Sequence, residues 1–459
     1  MPFPLPPELL SLILEFVETE DLGERRTIIS CAQVSRTWCT SSQPYIFRHI
    51  EIAVSKPNTQ RWLERLIEWE TTGFISLILH VTLLGDNYSI RVNVGIAEWE
   101  VDVAEELGRR LTHVESLNLY RFEEKSNDYS IHNLEPHFAF LKHLGAAKGG
   151  LQKLRLSHVH FESPDKLFHY LANVPGQPTE LSLMAAGRFH YFDVTDRYED
   201  SGYPSATLLQ PASRWPLTSL ILYATDLRKD VISWLLSPAI DLTRLQSLVV
   251  AAANRQERVP NATEQPAASL FEQLVTAIGR SVRKLTLGIE GRLNPSTDRF
   301  TADTMTRFTS LEQLLILSDN RINPTNGLSR ALYLVPGLDG NKSLTEIVLA
   351  VDVTVDTNMG HEIDDISSLN GWGDLDRELD GATLPCLRRL FVIVRLCFMI
   401  TVRLDGDSLA KLEDAVRTRM PRLLVRGLLE IKVEKYHRGK SLKEYYHRPW
   451  SYHIHDREL

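Results

Sequence analysis

Two hydrophobic patterns divide this chain, and they change over near residue 50. From Pro7 onward, Leu9, Leu10, Ile13, Leu14 and Val17 recur at three- and four-residue spacing, which places an apolar stripe along one side of a short helix. The prolines at 2, 4, 6 and 7 suit an extended lead-in, with Pro7 tolerated at the first helical position. A second helical run follows the acidic turn at Asp21 and Leu22, and a third carries Val34 and Trp38 before Pro44. Helices this short need partners to be stable.

Beyond residue 50 the pattern becomes Leu-x-x-Leu-x-Leu. It is clearest at Val114-Glu-Ser-Leu117-Asn-Leu119, Leu151 to Leu156, Leu217 to Leu222 and Val282 to Leu287. Weaker forms occur at Val81 to Leu83, Leu181 to Leu183, Leu245 to Val250, Leu311 to Ile316, Leu344 to Leu349 and Leu387 to Val392. Their spacing is irregular, roughly 27 to 43 residues, which is long for a leucine-rich repeat. Between them the periodicity predicts helices over 98–110, 136–144, 164–172, 229–236, 268–278 and 408–417, with Asp407 as an N-cap for the last. Strand then helix at a recurring rhythm implies parallel strands joined by right-handed crossovers.

Leu5-Pro6-Pro7-Glu8-Leu9-Leu10 with Ile13-Leu14 and Phe16-Val17, followed by Val34-Ser35-Arg36 and Trp38, resembles the F-box. That family is the helical module which docks on the Skp-type adaptor of cullin-based ubiquitin ligases. The segment Glu24 to Ile29 is longer than the family's usual linker, so the second helix is displaced relative to the pattern. The resemblance implies that Leu5, Pro6, Leu9, Leu10, Ile13, Leu14, Val34 and Trp38 form the adaptor-facing surface. Part of that stripe must also close the module's own core. The repeats after it resemble a degenerate leucine-rich-repeat solenoid. Together they give the layout of a substrate receptor in an SCF complex, which brings a target to ubiquitin-dependent degradation.

The expected fold class is α/β: an F-box over 1–50, a connecting helix and first repeat over 51–110, a curved solenoid over 111–432 with strands on its concave face, and a polar, aromatic tail over 433–459. In each strand the leucines face the core, and the residue between them, with the one after, faces the concave surface. Early units place Asn118, Tyr120, Arg155, Ser157 and Ser182 there. Later units place Ile221, Tyr223, Val249, Leu315, Leu317, Val348, Phe391 and Ile393 on the same surface. A contiguous apolar patch facing water calls for a cover. Either a substrate binds it, or the tail, with Tyr436, Tyr445, Tyr446, Trp450 and Tyr452, lies across it. Self-coverage is the favoured expectation.

Composition narrows the function classes. A net charge of −8 argues against a nucleic-acid surface. Cysteines 31, 39, 386 and 397 have no metal-ligand spacing and are too few for a disulfide framework. Glu8 and Glu15 interrupt the first apolar run, which makes it a poor secretory signal. Leu390 to Val402 is too short to span a bilayer and contains Arg395. Cytosol or nucleus follows, so Asn87, Asn261 and Asn341 in their Asn-x-Ser/Thr contexts do not meet the glycosylation machinery.

No catalytic, cofactor or metal site is expected. Asp376-x-Glu378-x-Asp380-Gly381 mimics the start of a calcium loop, but its twelfth position is Leu387, which the following strand needs for its core. Residues 352–380 hold nine acidic side chains against the single Arg377, which reads as an inserted, solvated loop. His453-x-His455 has no Cys or third His at supporting spacing. Phosphate loops, Gly-x-Ser-x-Gly and His-Glu-x-x-His are absent from the sequence. The expected partners are the Skp-type adaptor, a cullin through it, and an unidentified protein substrate. Two other readings stay open: a repeat scaffold without ubiquitin transfer, and an α/β enzyme with an unrecognised site.

Overall fold

A computed structural model describes residues 5–20, 24–54, 56–85, 99–122, 135–159, 161, 164–184, 214–223, 229–251, 268–290, 300–320, 325–355, 371–398 and 406–437. The chain divides into two compact units, the first running through Pro178 and the second beginning at Thr179.

The first unit opens with three helices, α1 (Pro7–Glu20), α2 (Glu24–Ala32) and α3 (Arg36–Arg48). Ser35 starts α3 by accepting a hydrogen bond from the Trp38 N–H at 3.3 Å, which serves one of the first-turn donors a helix cannot satisfy itself. Tyr45 of α3 donates its hydroxyl to the Ser11 carbonyl of α1 at 3.1 Å, tying the third helix to the first. No linker follows. Arg48 ends α3 and His49 begins strand β1 (His49–Val54). Then come α4 (Lys56–Thr72), β2 (His80–Gly85), α5 (Val101–Arg110), β3 (Ser116–Phe122), α6 (Glu135–Leu141), β4 (Lys153–Val159) and α7 (Pro164–Ala172).

The four strands are parallel and pair in chain order. Their inward residues, Ile50, Ile52, Val81, Leu83, Leu117, Leu119, Leu154 and Leu156, are at most 1% exposed, as alternation in a half-covered sheet requires. Gly150 and Gly176 touch backbone to backbone beneath β4. Both hold positive φ, +103° and +87°, and a Cβ on either would overlap the other's main chain.

Among the described residues the second unit repeats the scheme with eight strands: β5 (Glu180–Met184), β6 (Ser219–Tyr223), β7 (Ser247–Ala251), β8 (Lys284–Glu290), β9 (Gln313–Asn320), β10 (Glu346–Val355), β11 (Arg389–Phe398) and β12 (Leu429–His437). All pair in parallel with their sequence neighbours. Its helices are α8 (Lys229–Leu235), α9 (Ala268–Ile278), α10 (Ala302–Met305), α11 (Thr325–Leu334), α12 (Gly371–Gly381), α13 (Gly406–Thr418) and α14 (Pro421–Val425). One bond recurs ahead of successive strands: Gln246 N–H to Thr218 C=O, Arg283 to Gln246, Glu312 to Arg283 and Thr345 to Glu312, each 2.8 Å, then Arg388 to Thr345 at 2.9 Å. This ladder holds the turns in step although the loops between them differ in length.

The expected α/β arrangement holds, with an N-terminal helical module followed by parallel strand and helix coils. Three features differ from the sequence reading. Strand β1 and helix α4, neither of them predicted, lie at the start of the stretch read as a connecting helix and first repeat. Strand β12 continues past residue 432 to His437, so Tyr436 pairs in register with Cys397 instead of belonging to a tail lying across the strands. The rest of that tail, with Tyr445, Tyr446, Trp450, Tyr452 and the His453-x-His455 pair, lies outside the described residues. The acidic stretch is not one solvated loop. Residues Asp352–Val355 complete β10, and 371–381 form α12, which buries Trp372, Leu375 and Leu379 at 1% exposure each.

Candidate interaction surfaces

In the first three helices the structure divides the apolar stripe into two faces. Leu10 and Leu14 on α1 and Ile28 on α2 are 1%, 0% and 3% exposed and close the module's own core. Leu10 and Leu14 are thereby withdrawn from the adaptor-facing set: four residues apart on the same helix, they point into the bundle. Leu5, Leu9 and Ile13 stand 45%, 46% and 40% exposed, and Val34 reaches 69% in the turn between α2 and α3. Pro6 is exposed and Trp38 half-buried. The sequence reading missed Leu12 and Ile29, which are 60% and 40% exposed. Leu12 lies three residues from Leu9, so helical geometry alone could have added it to the outer face.

These helices are fixed to the first strand and helix coil. Phe47, at the end of α3, stacks on Phe74 with ring centroids 4.6 Å apart and meets Trp69 of α4 edge-on at 5.0 Å. Trp69 in turn meets Trp62 at 5.9 Å. A pocket of about 390 Å³ lies beside this joint, lined by Ser11, Ser41, Pro44, Tyr45, Arg48, Ser76, Leu77 and Leu79.

On the strand face turned away from the core, register sets the residues in rows. In the second unit one row runs Ser182, Ile221, Val249, Thr286, Leu315, Val348, Phe391, and the next includes Tyr223, Leu317 and Ile393. This is not the open apolar patch that the alternation implies. Val249, Leu315, Leu317 and Phe391 are 8%, 6%, 6% and 5% exposed, and Ile221, Val348 and Ile393 are half-buried. The side chain of Tyr223 lies outside those described. Neighbouring strands stand about 4.8 Å apart, so each side chain in an in-register row is flanked on both sides. At the edge of the rows Arg389 pairs with Glu346 at 3.1 Å and Glu430 at 2.6 Å, and its guanidinium lies 4.5 Å from the Phe391 ring centroid.

The first two rows on the equivalent face of the first unit are polar: His49, His80, Ser116, Lys153 and Glu51, Thr82, Asn118, Arg155, with a mixed row of Ala53, Leu84, Tyr120 and Ser157 beyond. His49 Nε2 lies 2.8 Å from Thr82 Oγ1, and Ser157 donates to Asn118 Oδ1 at 3.4 Å.

The calcium-loop mimic has a structural task. Asp376 is 3% exposed inside α12 and accepts from the Leu423 N–H at 2.9 Å and the Arg422 N–H at 3.2 Å, the first turn of α14. Asp380 pairs with Arg422 of the same helix and with Arg426, its C-cap, at 3.4 and 3.5 Å. Among the described residues no group of three or more His, Cys, Asp or Glu could hold a metal. Asn341 is also spoken for: its amide donates to the Phe308 carbonyl at 2.9 Å, and its oxygen accepts from Ser343 and Leu344 N–H groups. Burial pushes the His137 imidazole down to about 4, where its ring meets Trp99 edge-on at 5.1 Å. None of the described helices is long and apolar enough to cross a membrane.

Comparison with known proteins agrees on the N-terminal module. Residues 4–53 match the F-box-like family model, and the chain therefore carries an F-box-like domain there. Curated proteins provide no match. Among solved structures, a protein from Bacteroides fragilis aligns over 84% of this chain and 75% of its own at 11% identity, with a TM-score of 0.32. A likeness that low carries no argument about fold or function.

Proposed function

We propose that this chain is the substrate-recognition subunit of an SCF-type ubiquitin ligase, docking on a Skp-type adaptor through its F-box-like domain and holding a target protein on the strand and helix coils. The observation that carries the reading is the outward apolar set Leu5, Leu9, Leu12, Ile13 and Val34, left exposed while Leu10, Leu14 and Ile28 close the core. Exposed apolar residues grouped on one small module mark an interaction site. Full burial of each is worth about 1.5 to 3 kcal/mol before association costs, so a few anchors suffice for tight docking.

The chain contributes no chemistry in this reading. It acts by proximity, raising the effective concentration of a bound target beside the recruited conjugating enzyme. The Phe47, Trp69 and Phe74 contacts serve that role, because a docked F-box then fixes the direction of β1 to β4. Its place of action is the cytosol or nucleus. The test is copurification of the whole chain with the adaptor and a cullin. Recovery of both supports the receptor reading. Adaptor without cullin favours a scaffold without ubiquitin transfer, and loss of both overturns the proposal.

A further inference from the structure

Strand β12 ends the sheet, with β11 on one side of it. The Leu390 N–H donates to the Leu428 carbonyl at 2.7 Å. By strand alternation the main-chain groups of Glu430 and Lys432 also face β11, and those of Leu429, Ile431 and Val433 face the outer edge. A row of main-chain donors and acceptors along an edge is a template for a further strand.

The core at this end is also less closed. On β11 the inward Leu390, Val392 and Val394 are 0% exposed, but their register partners on β12 are not: Ile431 is 6% exposed, and Leu429 and Val433 are half-buried. In the helix layer, Leu424 and Val425 of α14 are 42% and 88% exposed. The last coil of a stack ordinarily carries a polar outer face. Here, among the described residues, apolar side chains stand beside an unpaired strand edge, which calls for a partner.

The strand is complementary to itself. When two copies pair antiparallel about a two-fold axis at Ile431, Ile431 faces Ile431, Leu429 faces Val433 and Glu430 faces Lys432. The edge groups of Leu429, Ile431 and Val433 then meet in hydrogen-bonded pairs, and the inward side chains of both copies stay on one face of the joined sheet. Moving the axis to Glu430 or to Lys432 would set like charges against each other. Glu430 holds Arg389 at 2.6 Å and Lys432 has an interaction within its own chain, so the register requires only that like charges do not oppose.

We propose that the edge of β12 binds a second copy of this chain, as an antiparallel strand pair about a two-fold axis at Ile431. The proposal is independent of the receptor reading. The paired segment, Leu429 to Val433, is short, so the dimer is a weak one that forms with rising concentration. Two copies bring two F-box-like domains into one assembly, which favours partners that offer two sites.

The experiment is sedimentation velocity on the whole chain between about 1 and 100 µM, the range suited to an interface below standard size. The expected mass rises from 52.3 kDa towards twice that value. Val433→Pro removes an outward N–H without removing a bond to β11, and Lys432→Glu sets acids across from Glu430. Each should raise the concentration of half-dimerisation roughly tenfold, in protein that circular dichroism shows to be folded. Lys432→Glu combined with Glu430→Lys exchanges the charges and should recover the wild-type dimer. A wild type that stays monomeric throughout, as when residues after His437 occupy the edge, would overturn the proposal. So would a dimer that both single variants leave intact, or an exchanged pair that fails to recover it.

Discussion

Replacing Asp376 by alanine removes a buried carboxylate from the start of α14. That helix begins at Pro421, and its flanking Met420 supplies no side-chain cap, so the Arg422 and Leu423 N–H groups depend on Asp376 alone among the described side chains. Hydrogen bonds to a charged group contribute about 1.5 to 3 kcal/mol each, and loss of an ordinary N-cap costs about 0.5 to 2 kcal/mol. Two such bonds, served by one side chain at 3% exposure, put the loss at about 3 kcal/mol. For a unit of this size that is a fall of about 6 to 12 °C in Tm. Asp374→Ala is the matched control: it also removes an acid from α12, but its partner Arg377 is a surface neighbour at 3.0 Å, worth about 0.5 kcal/mol. Thermal melts followed by far-UV circular dichroism compare the two. Equal, small shifts would refute the capping role. A rise in Tm on adding calcium to wild type would contradict both the capping role and the sequence-based rejection of a calcium loop.

Three further outcomes follow from the same reasoning. His137 has a folded pKa of about 4 against 6.5 unfolded, so its contribution is complete above pH 6.5 and is lost as pH falls towards 4, at about 1.4 kcal/mol per pH unit. Denaturant titrations at pH 7 and pH 5 should show that loss, and His137→Phe should reduce it; an unchanged slope would contradict the assignment. Gly150→Ala forces a Cβ into the Gly176 backbone at positive φ and should cost at least about 2 kcal/mol, whereas Gly149→Ala, also at positive φ but with open space around it, should cost about 1 kcal/mol. Equal melts for those two variants would remove the close approach as the cause. Leu10→Ala should cost about 2 to 5 kcal/mol by opening a cavity in the F-box core, and Leu12→Ala should cost under about 0.5 kcal/mol, as read from denaturant midpoints.

The strands were legible where leucine marks both the turn and the core. Each of the ten Leu-x-Leu segments is a strand, because its alternating apolar residues must face the helices. Strand β1 escaped because His-Ile-Glu-Ile-Ala-Val lacks the leading leucine, and β12 because Glu430, Lys432 and Glu434 separate Leu429, Ile431 and Val433. In α12 the apolar residues Trp372, Leu375 and Leu379 keep helical spacing, but the surrounding acids outweighed them. The F-box-like domain was readable from its prolines and its Val-Ser-Arg-x-Trp run. The division of its stripe was not, since Leu9 and Leu10 are chemically identical and only the packing of α1 on α2 and α3 turns one outward.

The receptor reading stands or falls on adaptor binding. The comparison is affinity for a purified Skp-type adaptor, by calorimetry, of wild type against Leu9→Asp plus Val34→Asp, both shown to be folded. Wild type should bind stably and the variant should lose binding, because both charges land on exposed positions that only a partner would bury. A folded wild type that does not bind, or a variant that binds as well, would contradict the reading.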